Sequence, residues 1–404
     1  MNIIDNSHHY WRFWPVLCLA FLYPMNMGLI NLAIPLYFFR VGVAIELIGF
    51  LAAGSTMTYC FSPILLNKVS NRINRRRSVI LGIVGITFAQ MIFYFTLEPI
   101  PFLIARVIEG FMAGFIWANL QSSISDNFEH DHSKYMARYN FTWNLVIFSG
   151  YLSGTLILFF IEDLRIVFYS APLLIVANAI IIIFFFQEST KNNNLIQNSK
   201  NDKNQEKSPD IIKGNIVHFT KYSIPVIIPV LCIVAYCLAR VSANFLYPLK
   251  SEILGFSLYT VYLLSCLGFA TQIISITLTS YLSINYLKKI PIISIIALIV
   301  ILILLGINTN FFIFIALFLF AGFFIGTLYS TSLKLFLTLN IKNNTSKYSS
   351  ILESIIGLTF LLGPITTAFI AKIDINLSFY FLSLVFFFLL LVLLVYMRKI
   401  EITS

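Results

Sequence analysis

Ionisable side chains are scarce in the long apolar stretches of this chain, so those present draw attention. The segment ARVIEGFMAGF, residues 105–115, holds Arg106 and Glu109 three positions apart, and Arg106, Gly110 and Gly114 form a row at i, i+4, i+8. On a helix the two charges reach one another, and the two glycines let a second helix come close. Tyr236, Arg240 and Asn244 form another such row, with no acid one turn from the arginine. Glu353 falls near the end of a further apolar run, and Asn26, Asn31, Trp143, Asn144, Gln272 and Tyr329 are polar residues within other runs. A charge in hydrocarbon is costly, so each ionisable group there is a functional candidate. The chemistry on offer is ion pairing, hydrogen bonding to a polar or anionic solute, and proton exchange. Glu109 is a proton-coupling candidate because burial and Arg106 jointly set its charge; a static pair with Arg106 is the competing reading. Glu353 is a second candidate, with simple solvation as its competitor.

Other chemistries find little support. NFEHDHSKY, residues 127–135, has the look of a metal-ligand cluster, yet it falls in a short loop and reads as a solvated turn, so no metal site is expected. Cys18, Cys60, Cys232, Cys237 and Cys266 all fall within apolar runs and show no zinc-like pairing with histidine, so they read as small packing residues and no disulfide is expected. No cofactor is implied.

The elements that must position these residues follow from composition. Of 404 residues 59% are hydrophobic and 11% charged, and the mean hydropathy is +0.87. A soluble domain carries about 25% charged residues, so this chain lacks the polar surface to cover a globule of its size. Apolar runs long enough to cross a bilayer core of about 30 Å recur throughout. The spacing predicts an all-α polytopic membrane protein with twelve spans: 13–38, 46–67, 77–97, 101–123, 136–160, 165–186, 222–248, 257–284, 289–307, 311–334, 347–371 and 376–397. The first run is too long for a signal-peptide core and is expected to remain as a span. Residues 187–221 are polar and rich in Asn and Lys, which predicts a solvated linker between an N-terminal bundle, 1–186, and a C-terminal bundle, 222–404.

Lysine and arginine set the orientation. With the N-terminus in the cytoplasm, 21 of the 27 cationic residues fall in loops on that side. Only Arg40, Arg165, Lys250 and Lys372 fall on the other, and Arg106 and Arg240 within spans. Both termini and the linker are therefore expected in the cytoplasm, in a plasma membrane. The formal charge of +10 is mostly this bias, so nucleic acid is not an expected partner. Lys334 is expected to snorkel to the surface. The forty phenylalanines read mostly as lipid-facing bulk.

Sliding the chain by 213 residues lays YPMNMGLINLAIPLYFFRVG (23–42) over YCLARVSANFLYPLKSEILG (236–255). Tyr23 meets Tyr236, Asn31 meets Asn244, Pro35 meets Pro248 and Gly42 meets Gly255. A weaker match at offset 209 sets Gly154 over Gly363. An internal repeat of two six-span halves is the build of an alternating-access carrier, with its site between the halves.

The basic turn NKVSNRINRR, residues 67–76, resembles the helix 2–3 signature of the major facilitator superfamily, with Arg72, Arg75 and Arg76 on the cationic positions. Asn67 and Asn74 replace its glycines and Asn71 its aspartate. Asparagine tolerates positive φ better than most residues, so the turn is expected to persist, while the gate strength that the family draws from the aspartate is put in question. Arg106, Glu109 and Gly110 match the family's fourth-span pattern. GYLSG, residues 150–154, lacks the proline of the antiporter signature, and LGP appears at 362–364 instead. The resemblance implies the superfamily's twelve-helix fold, with Asn31, Arg106, Tyr236, Arg240, Asn244 and Tyr329 toward a central cavity. It also implies a cytoplasmic gate turn at Asn71, Arg72, Arg75 and Arg76. The function expected is a secondary transporter of a small solute, a monomer in the bilayer, coupled to protons and leaning to export. Two other classes stay open: a polytopic membrane enzyme of glycosyltransferase type, and a non-transporting receptor or scaffold. Scattered outer-loop acids weigh against the first, and the altered gate turn motivates the second.

Overall fold

The computed structural model describes residues 13–117, 119–120, 123–124, 132–186, 221–223, 225–282, 284–287, 289–340, 345–397 and 401–403. The linker 187–220 lies outside them, as do the side chains of the 127–135 cluster and of Asn71 and Arg72.

Among the described residues the chain is a bundle of long helices. They are α1 (Trp14–Arg40), α2 (Ile45–Tyr59, resuming at Ser62–Ile73), α3 (Arg75–Phe93), α4 (Pro99–Ala113), α5 (His132–Phe160) and α6 (Leu164–Phe185). The second set is α7 (Ile227–Val241, continuing to Ile253), α8 (Leu258–Tyr281), α9 (Ile290–Ile307), α10 (Phe311–Asn340), α11 (Thr345–Ala371) and α12 (Ile375–Met397). Eleven are long and apolar enough to cross a membrane. The twelfth, α4, runs for 15 residues before a turn at Gly114–Ile116, with helical residues beyond it. Prolines stand in the first two positions of α1, the second part of α2, α4 and α9, where the missing N–H has no intrahelical partner to lose.

The all-α class holds, with one short strand pair among the described residues: Lys221–Ser223 runs antiparallel to Glu401–Thr403. Two expectations need correction. Span seven starts at Ile227 and not at 222, because Pro225 disfavours helical backbone at the residue before it. Lys250 is not in a loop: α7 runs on to Ile253, and the lysine is 3% exposed. Its Nζ donates to the carbonyls of Leu305 and Gly306, both at 2.6 Å, and to Asn376 Oδ1 at 2.9 Å. A buried ammonium with all three protons placed ties α7 to the end of α9 and the start of α12.

Helix contacts sort by set. Within α1–α6, α1 packs on α5 and α6, and α4 on α2 and α3; within α7–α12, α10 packs on α7, α8 and α9, and α12 on α9. The sets meet along α2 against α11, along α5 against α8, and where α1 meets the end of α7. Gly42 and Gly255, paired by the repeat, close α1 and α7 in the same way. Both have positive φ, 79° and 72°, and each donates to the carbonyl three residues back, Phe39 and Glu252. The next residues, Val43 and Phe256, reach back five to Phe38 and Ser251, the glycine-terminated helix end in which a Cβ would be strained.

Candidate functional site

A cavity of about 280 Å³ lies between the two sets, bordered by residues from α1, α2, α4 and α5 on one side and α7, α8, α10 and α11 on the other. Asn31, Arg106, Tyr236, Arg240, Asn244, Tyr329 and Glu353 all border it. Glu109 does not. It sits behind Arg106, 2% exposed, inside the first set.

The Arg106–Glu109 pair has a defined setting. Arg106 Nη1 donates to Glu109 Oε2 at 2.8 Å and to Tyr94 Oη at 3.4 Å, and Nη2 donates to Ser55 Oγ at 2.9 Å. The glycine row brings α2 against this face of α4. A Cβ on Gly110 would fall 1.6 Å from the Ser55 carbonyl oxygen, and Ser62 Oγ donates to the Gly110 carbonyl at 3.2 Å. A buried ion pair that is also hydrogen-bonded is tolerated where either charge alone is not. Asn26, a sequence candidate, is used nearby and away from the cavity: its Nδ2 donates to Gln90 Oε1 at 3.1 Å and to the Ala171 carbonyl at 2.7 Å.

On the opposite wall Arg240 is 4% exposed, and its guanidinium carbon lies 3.5 Å from the centroid of the Phe269 ring. Its Nε and Nη2 have no hydrogen-bond partner among the described residues. Tyr236 and Tyr329 pair beside it, with ring centroids 4.9 Å apart. Asn244 accepts from Tyr151 Oη at 3.2 Å, across the two sets. A π turn, Ser242–Leu246, carries Asn244, and its closing bond runs from Tyr247 N–H to the Ser242 carbonyl. Pro248 follows it and lacks the N–H that would bond to the Asn244 carbonyl in a regular α-helix. Such wide turns recur at functional sites.

Glu353, on α11, accepts from Tyr59 Oη on α2 at 2.9 Å. Gln272 Nε2 donates to Asn144 Oδ1 at 3.0 Å, joining α8 to α5. On the side away from the termini, Arg40 Nε meets Glu252 Oε1 at 2.6 Å and Lys372 Nζ meets Glu46 Oε1 at 2.5 Å. Both ion pairs cross between the sets. At the basic turn, Asn74 takes φ 73° and ψ 146° between the second part of α2 and α3, and Arg76 Nη2 donates to the Ile183 carbonyl at 3.2 Å. Lys334 Nζ donates to the Leu282 carbonyl at 2.6 Å.

The aromatic character of the cavity was not anticipated. Tyr139, Trp143 and Tyr151 border it from α5, with Trp117 against Trp143 at 4.6 Å between centroids and Tyr23 against Trp117 at 5.0 Å. The signal was present: positions 139, 143, 147 and 151 repeat every four residues and hold three aromatics. Phe269 likewise serves the cavity and not the lipid.

The sequence profile of the Major Facilitator Superfamily matches residues 16–269 and 229–403. The chain belongs to the major facilitator superfamily. It is therefore a secondary transporter of the alternating-access kind and not an enzyme. Comparison with curated proteins gives no match. Among solved structures, the nucleoside transporter NupG is 12% identical, with a TM-score of 0.71, covering 96% of this chain and 99% of that one. A point mutant of the same transporter gives 11% and 0.70, covering 95% and 98%. A D-xylose-proton symporter gives 13% and 0.68, covering 93% and 97%. At these identities the likeness speaks for the superfamily fold alone. In that fold the repeat pairs take on meaning: Tyr23 and Tyr236, and Asn31 and Asn244, border the cavity from opposite sets.

Proposed function

We propose that this superfamily member carries a small solute through the cavity between α1–α6 and α7–α12, with residues 1–186 and 222–404 rocking about it and 187–221 as the tether. The cavity is the observation that carries the reading. Ion pairs between the two sets, Arg40–Glu252 and Glu46–Lys372, stand on the side away from the termini. The cavity lining extends the other way, to Trp117, Tyr139 and Glu353. The excess of Lys and Arg supports a cytoplasmic location for both termini in a plasma membrane, so this conformation faces inward. Export is the direction favoured by the short loops and by the lack of a sugar-transporter-like signature. The unit of function is a monomer, and the basic turn at Asn71, Arg72, Arg75 and Arg76 serves as its cytoplasmic gate.

Proton coupling is assigned to the two buried-span carboxylates, Glu353 on the wall and Glu109 behind it. The test uses proteoliposomes with a trapped pH dye and a panel of organic anions, sugars and lipophilic cations. A compound-dependent pH change, absent from empty liposomes, supports a proton-coupled carrier. Glu353→Gln and Glu109→Gln are then expected to keep counterflow exchange and to lose uphill transport. Uphill transport unchanged in both variants removes these residues from coupling.

A further inference from the structure

Among the described residues three charged side chains border the cavity, and only Arg240 has two buried nitrogens without a hydrogen-bond partner. Arg106 is paired with Glu109, and Glu353 accepts from Tyr59. Arg240 alone presents two buried N–H groups, on Nε and Nη2, with no acceptor among the described residues. These two nitrogens form one edge of the guanidinium, the edge that grips a carboxylate with two parallel hydrogen bonds. The opposite requirement, a stable perch for the cation, is met by the Phe269 face 3.5 Å below. A guanidinium held in place, desolvated and unsatisfied on one edge costs free energy that an incoming anion recovers.

We infer that Arg240, seated on Phe269, is the anchor for the carboxylate of a planar, largely apolar monoanion, and that this is the substrate class of the carrier. The inference rests on the transporter reading above. The rest of the wall fits the body of such a solute. The Tyr236–Tyr329 pair stands one turn along α7 from Arg240, and Trp143 and Trp117 border the cavity from the other set. Flat apolar faces on both sides suit a ring, and a single free cation suits one negative charge. A dianion would meet no second unpaired cation among the described cavity residues, and a cation would face Arg240 itself.

The test uses three probes of one shape and different charge, benzoate, benzamide and benzamidine, with the full-length protein in detergent. Trp117 and Trp143 border the cavity, so quenching of tryptophan fluorescence reads occupancy. Benzoate is expected to bind saturably, benzamide at least about 10-fold more weakly, and benzamidine not at all. Arg240→Gln is expected to weaken benzoate about 10- to 100-fold while leaving benzamide unchanged. Arg240→Lys, which keeps the charge and loses the fork, should fall between. Both variants are first shown by size-exclusion profile and melting temperature to be folded. Silence with benzoate, equal affinity for the three probes, or an unchanged benzoate affinity in Arg240→Gln overturns the inference. Labelled counterflow in proteoliposomes separates the two levels. Flux of a neutral solute with benzoate silent overturns the anion assignment and leaves the transporter. Benzoate binding, lost in Arg240→Gln, with no flux of any probe, supports the anion site and overturns carriage.

Discussion

The Arg106–Glu109 pair allows a sharp energetic test. Both side chains are buried, and they meet at 2.8 Å. Replacing Glu109 by Leu leaves a guanidinium with hydroxyl partners only, Ser55 at 2.9 Å and Tyr94 at 3.4 Å. Removing one member of a buried pair costs about 3–5 kcal/mol, since the survivor stays charged and unpaired. Arg106→Leu strands the carboxylate, which offsets part of the cost by taking up a proton. The double variant removes both charges and fills the space with apolar atoms, a change that is near neutral in many proteins. The expected coupling is therefore several kcal/mol: each single variant is severely destabilised, and the second substitution rescues the first. The assay is unfolding of the detergent-solubilised protein in a double-mutant cycle, followed by tryptophan fluorescence. Glu109→Gln, which keeps an acceptor near Nη1, should lie between wild type and Glu109→Leu. Additive losses in the double variant would refute the reasoning, because they would mean that each residue is stabilised by partners other than the other.

Other outcomes follow from particular contacts. Asn74→Gly should stabilise the chain by about 1 kcal/mol, because φ 73° with ψ 146° lies in a region that only glycine occupies without strain; Asn74→Val should do the reverse, both read as shifts in melting temperature. Gly110→Ala places a methyl group 1.6 Å from the Ser55 carbonyl oxygen; the loss should reach or exceed the ~1–3 kcal/mol typical of overpacking, seen as aggregation or a lowered melting temperature. Lys250→Met removes three hydrogen bonds and leaves the Leu305 and Gly306 carbonyls short of a donor; a loss of a few kcal/mol is expected, measured by thermal unfolding. Arg40→Ala should change stability by no more than about 1 kcal/mol, since its ion pair is part-exposed. It should nonetheless shift the carrier toward the opposite conformation, read by cysteine accessibility of residues introduced at the two ends of the cavity.

The sequence by itself determined the class, the number of spans and the rows of polar residues. Hydropathy is a local property summed over about 20 residues, and crossing hydrocarbon admits few structures other than a helix. The i, i+4, i+8 rows were legible for the same reason: once a segment is a helix, spacing fixes which residues share a face. The reach of Arg106 to Glu109 and the repeat that pairs Gly42 with Gly255 belong to this class of information. Tertiary structure alone decided which way each face turned. Glu109 and Arg106 share a helix, yet only Arg106 reaches the cavity, because α4 is rotated so that Glu109 faces the interior of its own set. Asn26 and Asn31 lie on one helix and serve different ends for the same reason. Lys250 was misplaced because a loop lysine and a buried one look alike in sequence; its acceptors come from α9 and α12, 55 to 126 residues away. The perch of Arg240 on Phe269 depends on how α8 packs against α7, and the widened turn at Asn244 sets where that face points. Such contacts join residues distant in the chain through packing that no local period encodes.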